Sequence, residues 1–234
     1  ADVPLTENLP KGFGAVRTGA RSFAWRSDAG AELYWTEAQD GGDLKKDVEI
    51  REKIFYLRQP FSGSPNECLT LNLRFGGITW GNDNFALISE WNWAERKLKT
   101  HTFRPDKPQG SKKIIFDRNF EDRYSDPGNF EMTTNRYGKS VILFGDKGKT
   151  AFLTGQGASP EGNRPFVDKI DIETFDTERL WRSEAPYYEY PVQLIDHKKL
   201  KVVTRRESKT EVQNYYIRNL KNDTFEALTS FENP

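Results

Sequence analysis

The stretch that most constrains this chain is Arg74 to Asp117, because it reads as four short strands separated by turns. FGGITW alternates large and small residues, and Gly81-Asn82-Asp83-Asn84 follows with residues that tolerate turn geometry, positive φ included. FALISEW comes next, with Phe85, Leu87 and Ser89 on one face and Ala86, Ile88 and Glu90 on the other, as a period of two requires. LKTHTF and KKIIFD complete the set across a loop holding Pro105 and Pro108. Four antiparallel strands in about 50 residues make one blade of a β-propeller.

The rest of the chain repeats that unit imperfectly. SFAW, AELYWTE, KIFYLR and ECLTLN precede it, the first two joined by Ser27-Asp28-Ala29-Gly30, where Asp would cap the backbone and Gly would take positive φ. After it, NFEMTTN and KSVILFG open a third unit around Arg136-Tyr137-Gly138, followed by KTAFLTG, FVDKIDIET and ERLWRSE. YPVQLID, KLKVVTRRES, EVQNYYIRNL and TFEALTSF form the fourth, with a turn at His197-Lys198. First strands near Phe23, Gly76, Phe130 and Pro191 recur about every 53 to 61 residues. No segment carries a helical stripe; the charged middle of Asp40 to Arg58 allows one turn at most. The expectation is therefore an all-β propeller fragment of about four antiparallel four-stranded blades, as an open arc or a small closed ring. Residues 1–20 read as a Pro- and Gly-rich lead-in, and the blades as 21–73, 74–128, 129–186 and 187–234. An arc would leave bare faces on its end blades, favouring a dimer or packing on neighbours outside the chain.

Composition narrows the function classes. Thirty-five basic residues balance 35 acidic ones over 234 positions, which argues against a nucleic-acid partner, since phosphates need a basic face. Aromatics reach 13%, enough for a packed core despite only 35% hydrophobic residues. No apolar run approaches the about 20 residues of a membrane span. The single Cys68 fits a reducing compartment but leaves export open, and a bacterial source is the expectation, with a periplasmic or secreted setting placed ahead of the cytoplasmic alternative. The chain starts Ala-Asp-Val, as a processed product or excised piece would.

Catalytic motifs are missing. There is no G-x-S-x-G elbow, and FSGSP at Phe61 to Pro65 misses it. The two histidines, His101 and His197, read as surface or edge residues. With Cys68 they make a poor metal set, and the aspartates of WGNDN and QDGGD read as turn residues rather than calcium ligands. LFGDKGKT lacks the first P-loop glycine and lies between strands, so it reads as a hairpin turn. Asn222-Asp223-Thr224 is a chance sequon unless the chain is secreted by a eukaryote. Trp25, Trp35, Trp80, Trp91, Trp93 and Trp181 read as packing between blades ahead of a sugar platform. No catalytic, cofactor-binding or metal site is assigned. A propeller glycosidase, with two facing carboxylates, is the enzyme alternative for the chain itself.

Longer strings carry a resemblance. LTENLPKGFGAVRTGARSFAWRSD, LYWTEAQDGGD, GGITWGNDNFALISEW, IIFDRNFEDRYSDPG, LTGQGASPEGNRPFVDKIDIET and RRESKTEVQNYYIRNL resemble the glutamyl endopeptidase-like branch of the prolyl oligopeptidase (S9) serine peptidases. The resemblance implies the later part of an N-terminal propeller that precedes an α/β-hydrolase domain. On that reading the catalytic Ser, Asp and His lie outside this chain. Its role would be to gate access and position peptides; a free-standing binding or scaffold module is the alternative. Glutamate selection would need a cation near the substrate. Arg123 and Arg164 sit in family-like loops, and both read as solvated loop arginines.

Overall fold

A computed structural model describes residues 5–233, so the first four residues of the expected lead-in lie outside the described residues. The chain divides into two compact units, Ala1–Glu121 with Thr134–Val141, and Asp122–Thr133 with Ile142–Pro234. The described residues hold strands and two short 3-10 turns, and no helix among them is long and apolar enough to cross a membrane.

The first unit carries two four-stranded antiparallel sheets. One runs β1 (Ala20–Trp25), β2 (Glu32–Ala38), β3 (Glu52–Arg58) and β4 (Asn66–Leu71); the other runs β5 (Arg74–Asn82), β6 (Phe85–Asn92), β7 (Lys97–Phe103) and β8 (Lys113–Asn119). Spatial order follows sequence order in both, as short hairpin links dictate. The pleat sorts the side chains. Tyr34, Ile54, Leu69 and Leu71 of the first sheet meet Trp80, Ala86, Ile88 and Phe103 of the second in one core. Edge-on contacts of Tyr34 with Trp80 at 5.4 Å and Trp80 with Phe103 at 5.9 Å lock that core in a preferred aromatic geometry. Phe85 and Leu87, on the opposite face of β6, are buried too.

The turns depart from expectation in detail. Gly30 does not take positive φ, and the Asp28 carboxylate does not cap the backbone; it takes Arg26 Nε at 3.1 Å and Nη2 at 2.8 Å. A charge-assisted pair in a buried spot outweighs a neutral cap there. The alternation of FGGITW is interrupted at Gly76, where the register shifts between Phe75 and Gly77. A Cβ at Gly76 would lie 2.6 Å from Ser89 Oγ, so a larger residue at that bulge would have to displace the serine side chain.

The second unit contains the larger correction. The strands that follow are β9 (Asn129–Phe130), β10 (Met132–Thr134), β11 (Ser140–Ile142), β12 (Phe144–Gly145), β13 (Thr150–Gly155), β14 (Phe166–Asp171) and β15 (Thr177–Arg182), of which the segment Thr134–Val141 counts with the first unit. NFEMTTN and KSVILFG were expected as two whole strands opening a blade. Instead β9 and β12 both pair with β13, and β10–β11 is a separate two-stranded sheet. The chain leaves at Glu131, whose N–H reaches Phe152 O at 2.8 Å, and rejoins at Leu143, whose N–H reaches Glu131 O at 2.8 Å. One strand position is thus shared by two fragments with a hairpin inserted between them. The unit closes with β16 (Tyr188–Asp196), β17 (Lys201–Glu207), β18 (Asn214–Asn219) and β19 (Thr224–Ala227). Phe152, Val167, Leu194, Val202 and Leu220 form its core.

Gly42 makes the sharpest backbone demand. Its φ is +80°, its O accepts Val16 N–H, and a Cβ there would lie 1.9 Å from Val16 O. Gly19 has a φ of +74° with open space around it. Gly19→Ala should therefore cost roughly 1 kcal/mol, the left-handed strain alone. Gly42→Ala should cost several times that, because backbone must move as well. Denaturant melts of both variants check this, and equal midpoints would refute the close approach.

Candidate functional site

The residues singled out by chemistry do not converge. His101 is not a surface or edge residue: it is 8% exposed, on β7 between β6 and β8, with Nε2 at 2.8 Å from Glu90 Oε1. Its cross-strand neighbour Ile88 places it on the apolar face, where only a carboxylate partner makes an imidazole tolerable. His197 is half-buried in the turn after β16, its ring 6.4 Å from that of Phe152. Cys68 is buried among apolar neighbours, and burial pushes its thiol up to about 12, which leaves it a poor nucleophile. Arg123 is exposed and Arg164 half-buried. LFGDKGKT forms the expected turn between strands, with Lys147 at a φ of +59°.

The tryptophans split. Trp35 and Trp80 are core residues and Trp91 and Trp181 are half-buried, but Trp25 is 55% and Trp93 38% exposed. Asp40 of QDGGD is buried and takes arginine side chains on both oxygens, while Asp83 of WGNDN is exposed. Among the described residues no group of three or more His, Cys, Asp or Glu is arranged to hold a metal ion.

What the first unit does build is a polar hollow of about 400 Å³. The β1–β2 turn supplies Arg26, Asp28 and Glu32, the end of β3 supplies Arg58 and Gln59, the β5–β6 turn Asp83, and the tip of the inserted hairpin Arg136 and Tyr137. Arg26 is the buried anchor. Its guanidinium holds Asp28 and, through Nη1 at 2.9 Å, Glu32, while lying 4.8 Å over the Trp80 ring. Burial works to lower its pKa, but the two carboxylates outweigh that and raise it. Glu32 is shared with Arg58 Nε at 2.6 Å.

Asn135 brings the hairpin tip to this place. Its Nδ2 donates to Ser27 O at 2.7 Å, and its Oδ1 accepts the N–H groups of Tyr137 and Lys139. Arg136 then lies 4.8 Å over Tyr137 and donates to a phenolic oxygen at 2.6 Å, with no carboxylate in bridging distance among the described residues. The hollow offers donors from Arg26, Arg58 and Arg136 and acceptors from Asp28, Glu32 and Asp83, and its lining holds no serine, cysteine or histidine. The turn at Arg136-Tyr137-Gly138 is visible in the sequence; that Asn135 carries it to the β1–β2 turn has no local signal.

At the other end of β2 and β3 a buried ion network joins the two sheets. Arg74 donates to Gly14 O at 2.7 Å, to both oxygens of Asp40 at 3.0 and 2.6 Å, and to Glu52 Oε1 at 2.9 Å. Arg21 also binds Glu52, Thr36 Oγ1 donates to it at 3.1 Å, and Arg51 reaches Asp40 at 2.5 Å. In the second unit, Glu189 holds Arg218 through two bonds of 2.9 and 2.8 Å and Thr204 Oγ1 at 2.6 Å.

Comparison with known proteins gives a consistent picture at the level of sequence. No protein-family profile matches the chain. It is 40% identical over its whole length to a probable chloroplastic glutamyl endopeptidase of Oryza sativa subsp. japonica, and 38% identical to one of Arabidopsis thaliana. The resemblance carried by the quoted strings therefore holds across the whole chain. The chain spans about a quarter, 26%, of each of those relatives. Both are plant chloroplast proteins, which gives the expected bacterial source no support. Among solved structures, the β-propeller domain of the Trilobed protease from Pyrococcus furiosus matches 89% of this chain and 58% of its own, at 12% identity and a TM-score of 0.45.

Glu90 offers a test of the buried electrostatics. It accepts Asn72 N–H and Leu73 N–H at 2.8 Å each besides His101. Burial alone would raise its pKa, but His101 and the backbone donors win and hold it below the usual 4.5. A depressed carboxylate contributes stability above its unfolded value and loses it as pH falls through the folded one. The gap in melting temperature between the unsubstituted chain and Glu90→Gln should be full above pH 4.5 and narrow as the pH is lowered from there. A gap that stays constant down to pH 3 would contradict the assignment.

Proposed function

We propose that residues 1–234 are a non-catalytic propeller portion of a prolyl oligopeptidase-type serine peptidase, which gates access to and positions peptides for an α/β-hydrolase domain carried elsewhere in the parent polypeptide. The observation that carries this is the 40% identity to a glutamyl endopeptidase over the whole chain. The described residues support the division of labour. Neither histidine is hydrogen-bonded to a serine or cysteine among them, and His101 is committed to Glu90 inside a sheet. A triad needs nucleophile, base and orienting carboxylate within reach of one another. The polar hollow supplies groups suited to a peptide, whose amides and carboxylates both need partners.

The test compares the isolated chain with its full-length parent. The chain should release no product from glutamate-containing peptides, while the parent should cleave them and be labelled by a serine-directed fluorophosphonate probe. Cleavage that co-purifies with the isolated chain through ion exchange and gel filtration would overturn the proposal. A parent without a probe-reactive serine would also do so, and would favour a binding or scaffold module.

A further inference from the structure

The lead-in is pinned against the loop that joins β2 to β3. Arg74 Nε donates to Gly14 O at 2.7 Å, Val16 N–H to Gly42 O at 3.1 Å, and Ala15 N–H closes a turn on Gly12 O at 3.2 Å. Those bonds set Phe13 beside the β6–β7 turn, where its ring stacks on Trp93 at 5.4 Å. Trp93 is fixed in turn by the Phe120 ring at 5.6 Å and the Arg96 guanidinium at 4.7 Å. Between the lead-in, the loop and this turn the first unit holds a cavity of about 300 Å³, the size of a site for one small molecule.

Phe13, Leu44 and Trp93 make its apolar wall, and Lys11, Lys45 and Asp43 are its charged groups. Phe13 is 76% and Trp93 38% exposed, so ring surface stays open to a ligand. Among the described residues, neither Lys11 nor Lys45 forms an ion pair or hydrogen bond through its ammonium group. The other nearby charges are engaged: Asp43 Oδ1 accepts Lys45 N–H at 3.0 Å, and Arg96 pairs with Glu121 at 2.8 Å.

Open rings beside unpaired ammonium groups select one class of ligand. A neutral hydrocarbon would leave the lysines unmatched, and a cation would be repelled by them. A small inorganic anion would make no use of the rings. An aromatic carboxylate satisfies both, with its ring against Trp93 and its charge at Lys11 and Lys45.

We propose that the cavity lined by residues 11–15, 43–45 and 93–94 is a binding site for a small aromatic carboxylate. It holds whether or not the parent protein is a peptidase.

Photolabelling of the full-length parent with 4-benzoylbenzoate, followed by peptide mapping, tests it. Methyl 4-benzoylbenzoate, with the same rings and no charge, is the control. The acid should label residues 11–15, 43–45 or 93–94 saturably, half-maximally below about 1 mM for a ligand of this size. The ester should label them about fivefold less at the same concentration, because two exposed ion pairs are lost. Lys11→Gln combined with Lys45→Gln, both at exposed positions, should bring labelling by the acid down to the level of the ester. Phe23, Trp25 and Phe61, on the outer face of the first sheet, are open to solvent too, but Lys53 there is paired with Glu67 at 2.7 Å. Acid and ester should therefore label that face alike. Equal labelling of the cavity by acid and ester would overturn the proposal. So would labelling that does not saturate, a double variant that labels like the unsubstituted parent, or a parent whose cavity peptides take no label.

Discussion

Arg74 is the residue on which the first unit depends. It is 1% exposed at the start of β5, and its one guanidinium touches the segment before β1, the loop after β2, and β3. A buried guanidinium is tolerable only if its N–H groups are used and its charge is matched. Three chain segments that are far apart in sequence must therefore arrive together before it can be buried. The net stabilisation of such a network is small compared with a well-packed apolar substitute of the same volume. Removing one member is costly all the same, roughly 3–5 kcal/mol, because the remaining charges stay buried without partners. Arg74 thus acts less as glue than as a condition: sheets that stack out of register leave it unmatched.

The second unit meets the same demand with other residues. Glu131 accepts Thr154 Oγ1 at 2.8 Å and Leu194 N–H at 3.4 Å, so one carboxylate ties β13 to β16 where the inserted hairpin departs. Arg218, held by Glu189, lies 5.3 Å over Trp181, and Arg206 lies 3.4 Å over Tyr187. Arginines placed between aromatic faces and a carboxylate satisfy charge and apolar packing together. In both units the sheets are joined by buried charge as much as by apolar contact.

This explains what was legible in the sequence and what was not. Strand positions follow from a period of two, a local property, so LKTHTF, KTAFLTG and YPVQLID could be read directly. The placement of Glu90 with Ala86 and Ile88 could be read in the same way. Its burial could not, because that depends on His101 in the next strand and on the Asn72 and Leu73 amides. His101 looked like an edge residue for the same reason: a polar side chain on a strand reads as solvent-facing until its partner is known. The break at Glu131 was hidden because NFEMTTN alternates well enough for one continuous strand. Nothing within it announces that Phe130 and Phe144 share a neighbour, β13. Tryptophan is ambiguous by nature. Trp35 and Trp25 lie in adjacent strands on one face, one enclosed by neighbouring rings and the other open.

The zero net charge takes on a different meaning once the pairs are seen. Thirty-five cations and 35 anions could have made a surface of mixed fields. Many of them instead neutralise one another at short range, in the Arg74 and Glu189 networks and around Arg26. Such a molecule has little long-range field with which to steer a charged partner. Recognition then falls to short-range features. In the hollow these are the open N–H groups of Arg136 and Arg58, and on the outer face of the first sheet they are aromatic rings. The two surfaces differ in kind. The hollow is concave, polar and suited to a ligand that comes and goes. The ring-covered face is apolar, with Phe23, Trp25 and Phe61 open to solvent.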